Sequence, residues 1–150
     1  MLFRSALRTQ QVGTTATVVI NDTSQTPAPP PPSYSLTPSA TSINEGSSLT
    51  TTVSTTNVVA GTTLYWALSG SGITAGDFSV GALSGSGVVG TGGSFSFSHT
   101  LANDLSTEGT ETLQIRLYSD ALRTQQVGTT ATVVINDTSQ TPAPPPPSYS

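Results

Sequence analysis

The sequence predicts an all-β protein in which antiparallel strands form two packed sheets. Short segments alternate apolar and polar residues with a period of two, and glycine-rich turn clusters separate them at intervals of about ten residues. No segment shows the 3.6-residue apolar period of an amphipathic helix. Together these observations favour an immunoglobulin-like antiparallel β-sandwich of about seven strands.

Five segments show the alternation clearly, at residues 48–55, 63–69, 94–101, 112–119 and 130–135. In each of them, one face is expected to be buried and the other solvated. Trp66 matches the central buried aromatic residue of immunoglobulin-like sandwiches, so we assign it to the core rather than to a ligand site. The predicted core consists of Leu49, Val53, Leu64, Trp66, Phe95, Phe97, Leu113, Ile115, Leu117, Val133 and Ile135.

The glycine-rich stretch at residues 85–93 is predicted to be a turn cluster. No GK[ST] sequence follows it and no helix begins there, which excludes a phosphate-binding loop.

A long internal repeat organises the chain. Residues 6–35 recur without change at residues 121–150, so the copies are offset by 115 residues (121 minus 6). Each copy carries a proline run, which adopts extended polyproline II and acts as a semi-rigid spacer. The predicted organisation is the last strand of a preceding repeat at 1–25 (a copy of 116–140), a linker at 26–35, a β-sandwich at 36–138 and a linker at 139–150.

Composition excludes several classes of function. The formal net charge of −4 argues against nucleic acid or an anionic membrane as a partner, since both require clustered basic charge. No apolar run is long enough to insert into a membrane, and the absence of cysteine excludes thiol catalysis and thiolate metal sites. The single histidine, His99, shares a strand face with phenylalanines and is interpreted as structural. The serines have no base to activate them, so we predict that the protein is not an enzyme.

Six acidic residues lie at strand ends or turns, and none lies in the middle of a predicted strand. Inter-strand loops of a sandwich gather at its two poles, so acids from loops distant in sequence can converge. They occur in four short motifs: Asn44-Glu45-Gly46, Ala75-Gly76-Asp77-Phe78, the stretch from Asn103-Asp104 to Glu108-Gly109-Thr110-Glu111, and Ile135-Asn136-Asp137.

These four motifs, in this order, resemble those of the Calx-β domains, over about residues 36–137. In the Calx-β domains that bind calcium, acids at these points chelate the ion at one pole of the sandwich. The resemblance therefore implies calcium ligands at Glu45, Asp77, Asp104, Glu108, Glu111 and Asp137. Calcium prefers six to eight oxygen ligands, largely from carboxylates and carbonyls, which is consistent with this set.

The chain departs from the motifs of strong calcium binders, because Asn103, Asn136 and Thr138 stand where those carry further acids. Fewer charges imply weaker binding, so we expect one or two weak Ca²⁺ sites, filled only in a calcium-rich medium. A plainer interpretation also stands: Glu45 and Asp77 cap turns, and the acids at 108 and 111 solvate the start of a strand.

The resemblance and the linkers imply a non-enzymatic repeat unit of an extracellular or cell-surface protein, stiffened by calcium. The alternative is a glycan- or protein-binding module without calcium, for which only Tyr65 and Tyr118 are expected on outward faces. Expected partners are neighbouring repeats or copies of the chain itself. Residues 6–22 copy a terminal strand, and three outcomes are open for them: disorder, pairing with a sheet edge, or exchange with the equivalent strand of a neighbouring molecule, which the identity of the two strands favours. We expect them to pair in a β-sheet, with another molecule rather than with their own domain.

Overall fold

The computed structural model describes residues 13–14, 16–24, 26–103, 107–138 and 145. Within these residues the chain forms nine strands and one short 3₁₀ helix, Ala75–Asp77. The strands are β1 (Ser33–Pro38), β2 (Ser42–Asn44), β3 (Ser48–Thr56), β4 (Thr63–Ser69), β5 (Phe78–Val80), β6 (Ser84–Val88), β7 (Ser94–Leu101), β8 (Glu111–Tyr118) and β9 (Gln126–Asn136).

The strands form two sheets, and this arrangement confirms the predicted β-sandwich. One sheet has the order β1-β3-β7-β5 and the other the order β2-β9-β8-β4-β6. All pairs are antiparallel except β2 and β9, which run parallel. The described strands exceed the expected seven partly because the first strand of the sandwich is divided, with β1 in one sheet and β2 in the other.

The core is largely the one that the alternation predicts. Nine of the predicted core residues are buried, and Phe95 and Phe97 are half-buried and packed against them. Trp66 stacks on Phe97 with their ring centroids 4.4 Å apart. His99 is only 1% exposed and meets the rings of Trp66, Phe78 and Phe97 edge-on. Its interpretation as a structural residue is consistent with this position.

The prediction of a turn throughout residues 85–93 is wrong for the first residues of that stretch, which belong to β6. The glycines are needed there because aromatic rings occupy the space that side chains would fill. A Cβ added at Gly85 would lie 2.3 Å from the Trp66 ring, and one added at Gly87 would lie 2.2 Å from the Phe95 ring. Glycine in a strand interior often marks such a close approach.

The chain enters the sandwich at one pole and leaves it at the other. At the entry pole, Ser33 starts β1 opposite Thr56 at the end of β3, and Asn57 Nδ2 donates a hydrogen bond to the Pro31 carbonyl at 3.2 Å. At the exit pole, β9 ends at Asn136 beside the end of β2. Strand β1 therefore begins three residues before the predicted domain boundary at 36.

The described residues of the predicted strand at 1–25 form no strand, and all of them are exposed. Val18 and Ile20 are 80% and 90% exposed, whereas their counterparts in β9, Val133 and Ile135, are 0% and 4% exposed. Residues 1–12 lie outside the described residues. The expected pairing with a second molecule stays a prediction. Among the described residues, no helix has the length and apolar character that crossing a membrane requires.

Candidate metal centre

Four of the six predicted acidic ligands meet at the exit pole. Carboxylate oxygens of Asp77, Glu108 and Glu111 all lie within 4.8 Å of one another. Glu45 lines the same cleft. The apolar floor of the cleft consists of Leu101, Ala102 and Ile135. Residues far apart in sequence therefore supply one compact acidic cluster.

The 3₁₀ helix positions Asp77 through a capping box. The Thr74 side chain accepts a hydrogen bond from the Gly76 amide at 3.1 Å, and the Thr74 amide donates to Asp77 Oδ2 at 2.5 Å. The Asp77 carbonyl accepts from the Ala102 amide at 2.8 Å, which joins this turn to the end of β7. Asp77 thus caps a turn, as the plainer interpretation expected, and also belongs to the acidic cluster.

Glu111 begins β8 opposite Ile135 of β9 and is half-buried. Burial raises the pKa of its carboxyl, and the negative charges of Asp77, Glu108 and Glu45 raise it further. Gly72 makes room for this side chain: its φ is +87°, and a Cβ there would lie 2.0 Å from Glu111 Oε1. A bound cation would remove the part of this shift that arises from repulsion among the acids.

Asp137 lies beside the loop that carries one of the clustered acids, Glu108. Its Oδ2 accepts hydrogen bonds from the amides of Glu108 and Gly109, at 2.8 and 2.9 Å. Gly109 has a φ of +83°, a conformation that suits glycine. Asp137 therefore holds the backbone that presents Glu108 to the cleft, and it acts as a positioning residue.

Glu45 is held by the turn that follows β2. Its amide donates to the Asn136 carbonyl at 3.3 Å, and the next amide, of Gly46, donates to the Ala102 carbonyl at 3.2 Å. Gly46 has a φ of +73°, and a Cβ there would lie 3.2 Å from Asn103 Cβ. The sixth predicted ligand, Asp104, lies outside the described residues.

The donor set of the cluster suits a hard divalent cation. Calcium binds oxygen ligands at about 2.3–2.6 Å, so two ligands of one ion are at most about 5 Å apart. The 4.8 Å limit for the oxygens of Asp77, Glu108 and Glu111 meets this condition. Each carboxylate can bind the ion through one or both of its oxygens, and Glu45 adds a fourth carboxylate in the cleft.

Sequence reasoning missed Gly72 and Thr74, which shape the site without contributing a charge. The glycine lies in a stretch that the sequence marks only as a turn, so its role becomes visible when the Glu111 carboxylate is found against it. The threonine precedes an acid by three residues, which is the capping-box spacing and could have identified it.

A comparison with protein-family models finds no match for the chain, and a comparison with curated proteins finds none either.

Proposed function

We propose that this chain is a structural repeat unit of an extracellular or cell-surface protein, and that a calcium ion stiffens its exit pole. The observation that carries the proposal is the convergence of Asp77, Glu108 and Glu111, with oxygens within 4.8 Å, beside Glu45. The raised pKa of Glu111 supports it: burial contributes most, and the charges of Asp77, Glu108 and Glu45 add a repulsion that a cation would neutralise.

A bound ion would join three loops that meet near the point where the chain leaves the domain. These are the turn after β2, the 3₁₀ helix and the residues before β8, which supply Glu45, Asp77 and Glu108. The linker that follows Asp137 begins at this pole. In an array of such units, calcium would thus restrict the orientation of each linker relative to its domain.

A non-enzymatic role is consistent with the position of the histidine. His99 is 1% exposed, and its Nε2 lies 2.8 Å from the Ala82 carbonyl in the core. A general base must reach the proton that it removes from a substrate. A side chain enclosed in this way serves packing instead.

Calcium should raise the melting temperature of the chain, because a ligand that binds only the folded state stabilises it. The Glu108→Gln variant should lose most of this rise and keep its fold, since Glu108 is exposed. At a calcium concentration 100 times the Kd, the stabilisation should be about 2.7 kcal/mol. Thermal unfolding by circular dichroism, in calcium and in chelator, measures it.

The matched control is Asp22→Asn. Asp22 is the copy of Asp137 in the exposed N-terminal stretch, so this variant removes one carboxylate and leaves the cluster intact. It should respond to calcium like the unaltered chain. Superimposable melting curves in millimolar calcium and in chelator would show that the cluster does not bind calcium.

A second candidate function is glycan or protein binding on the outer face of the five-stranded sheet. Tyr65 and Tyr118 are direct cross-strand partners on that face, and Arg123 lies 6.0 Å from the Tyr65 ring centroid. Adjacent aromatic rings can stack against a sugar. This function predicts that oligosaccharides bind in the presence of chelator and that Tyr118→Ala abolishes binding, as measured by calorimetry.

A further inference from the structure

Strand β7 has a sheet edge that is open over most of its length. It pairs with β3 from Ser94 to Thr100, whereas β5 pairs with it on the other side only at Thr100 and Leu101. Residues 94–98, on the side away from β3, are termed the open edge, although the Ser94 carbonyl accepts a hydrogen bond from the Gly90 amide at 3.1 Å. Among the described residues, no strand pairs with this edge.

The backbone groups of the open edge point outward in a fixed order. The Thr55 amide donates to the Gly93 carbonyl and the Leu101 amide donates to the Ser47 carbonyl, so the odd-numbered residues of β7 bond to β3. The amides and carbonyls of Ser96 and Ser98 therefore face away from β3. They offer hydrogen bonds to an added strand.

The open edge lacks the features with which proteins usually block an edge. Residues 94–98 contain no charged residue and no proline, and the β3–β7 register is regular. By contrast, β5 is only three residues long and irregular. The inner face of the open edge carries Phe95 and Phe97, which are half-buried. An added strand could cover both rings further.

Strand β6 also lies at the end of its sheet, and its edge offers less to an incoming strand. Its two inward positions are Gly85 and Gly87, which have no side chains to pack against a neighbour. The open edge of β7 therefore provides the better apolar contact.

The chain carries a segment that is suited to this edge. Residues Ala16–Asn21, termed the tail segment, have the same sequence as Ala131–Asn136 of β9, which do form a strand. The tail segment is uncharged, and Val18 and Ile20 are 80% and 90% exposed. An exposed strand sequence with one apolar face is unfavourable until it pairs.

Side-chain alternation fixes which face of the tail segment would turn inward beside the open edge. In β9 the buried positions are Val133 and Ile135, which correspond to Val18 and Ile20. With the same face turned inward beside the open edge, Val18 and Ile20 would lie next to Phe95 and Phe97. The opposite face would continue the outer surface of the sheet, where Ser96 and Ser98 form cross-strand hydroxyl hydrogen bonds with Thr52 and Thr50.

We propose that the tail segment of one molecule adds as a strand to the open edge of β7 in a second copy of this chain. The segment does not pair with its own domain in this structure: it forms no strand, and Val18 and Ile20 remain exposed. Residues 22–32 connect it to β1, and Asn57 donates a hydrogen bond to the Pro31 carbonyl at the entry pole.

Exchange of the tail segment with β9 of another copy is less favourable than addition to the edge. Exchange replaces a strand by an identical one and releases a β9 that is equally apolar, so it buries no additional surface. Edge addition buries Val18 and Ile20 without exposing anything. Because each copy has one tail segment and one open edge, the contact is heterologous and produces open chains of molecules unless it closes into a ring.

Disulfide trapping tests the proposal without background, because the chain has no cysteine. A Val19→Cys variant is mixed with Ser96→Cys or Ser98→Cys under mild oxidation, and mixed dimers are quantified by non-reducing electrophoresis. Val19 would lie on the outer face beside these serines. We expect at least a tenfold higher yield than with Ser86→Cys, which lies on β6. Equal yields would overturn the proposal.

Two further pairs separate the alternative arrangements. Thr17→Cys mixed with Gln114→Cys reports exchange into the β9 position, because Gln114 is the cross-strand partner of Thr132, the copy of Thr17. A dominant product from this pair would overturn edge addition. So would an intrachain disulfide in the double variant Val19→Cys/Ser96→Cys.

Sedimentation velocity at rising concentration gives an independent measurement on chains without cysteine. The weight-average mass should rise with concentration for the unaltered chain. It should also rise for the control Thr17→Asp, because Thr132, the copy of Thr17 in β9, is exposed. Ile20→Asp should weaken association by more than tenfold, and it lies outside the sandwich. Ser96→Pro, which removes an outward amide, should act likewise, whereas Ser86→Pro on β6 should not. Association unaffected by Ile20→Asp would contradict the proposal.

Discussion

At the scale of single residues, the core contains a histidine, His99, and its neighbours satisfy only one of the two ring nitrogens. Nε2 of His99 lies 2.8 Å from the Ala82 carbonyl, to which the neutral ring donates. Nδ1 is buried and has no hydrogen-bond partner among the described residues. Burial lowers the pKa of His99 from its ordinary value of 6.5, and the hydrogen bond to Ala82 opposes this effect only in part.

This environment predicts a loss of stability in acid. Below pH 6.5 the unfolded state binds a proton at His99 that the folded state resists, so the free energy of unfolding falls as the pH decreases from 7 toward 5. In His99→Gln, which keeps a donor for the Ala82 carbonyl, the slope should be smaller. Urea unfolding in chelator across this pH range measures it.

Glu111 contributes with the opposite sign, because its raised pKa lets the folded state bind a proton first and gain stability as the pH falls. Comparing the unaltered chain with His99→Gln removes this contribution, since both contain Glu111. Equal slopes for His99→Gln and the unaltered chain would mean that His99 titrates normally.

At the scale of elements, one sequence exists in this chain in two states. Residues 131–136 of β9 pair with both β8 and β2, while the identical tail segment forms no strand. The difference lies in the neighbours, since strand propensity is the same for both. A single strand is unstable in water, whereas one placed between two partners buries its apolar face.

The two copies allow a matched test of this explanation. Val133→Ala should lower the free energy of unfolding by about 2 kcal/mol, because it removes buried methyl groups and leaves a cavity. The same change at the other copy, Val18→Ala, should leave it within about 0.5 kcal/mol at low protein concentration. Urea unfolding measures both. Equal losses would mean that the tail segment belongs to the folded domain.

At the scale of the whole molecule, the sandwich has two distinct poles. The proline run is pinned at the entry pole through Asn57 and Pro31, and the acidic cluster lies at the exit pole. The described chain thus enters and leaves the sandwich at opposite poles, an arrangement that would suit the proposed linear array of units. The proposed calcium site and the proposed edge contact lie on different parts of the domain, so each can be removed without the other.

Much of this fold could be predicted from the sequence because a strand's burial pattern depends on local alternation. The inward faces of Leu49 and Val53, and of Leu113, Ile115 and Leu117, follow from a period of two alone. Strand β6 could not be predicted, because Gly85 and Gly87 carry no apolar side chains. Glycine is required at these two positions because the rings of Trp66 and Phe95, which come from other strands, occupy the space of a side chain.

The candidate site divides in the same way. The sequence by itself determined that the acids occupy turns and strand ends, because charged side chains interrupt an apolar alternation visibly. Only the tertiary structure decided that Asp77, Glu108 and Glu111 share one cluster while Asp137 holds the loop through the amides of Glu108 and Gly109. Local sequence sets which residues face inward, but the distance between loops is set by how the two sheets pack.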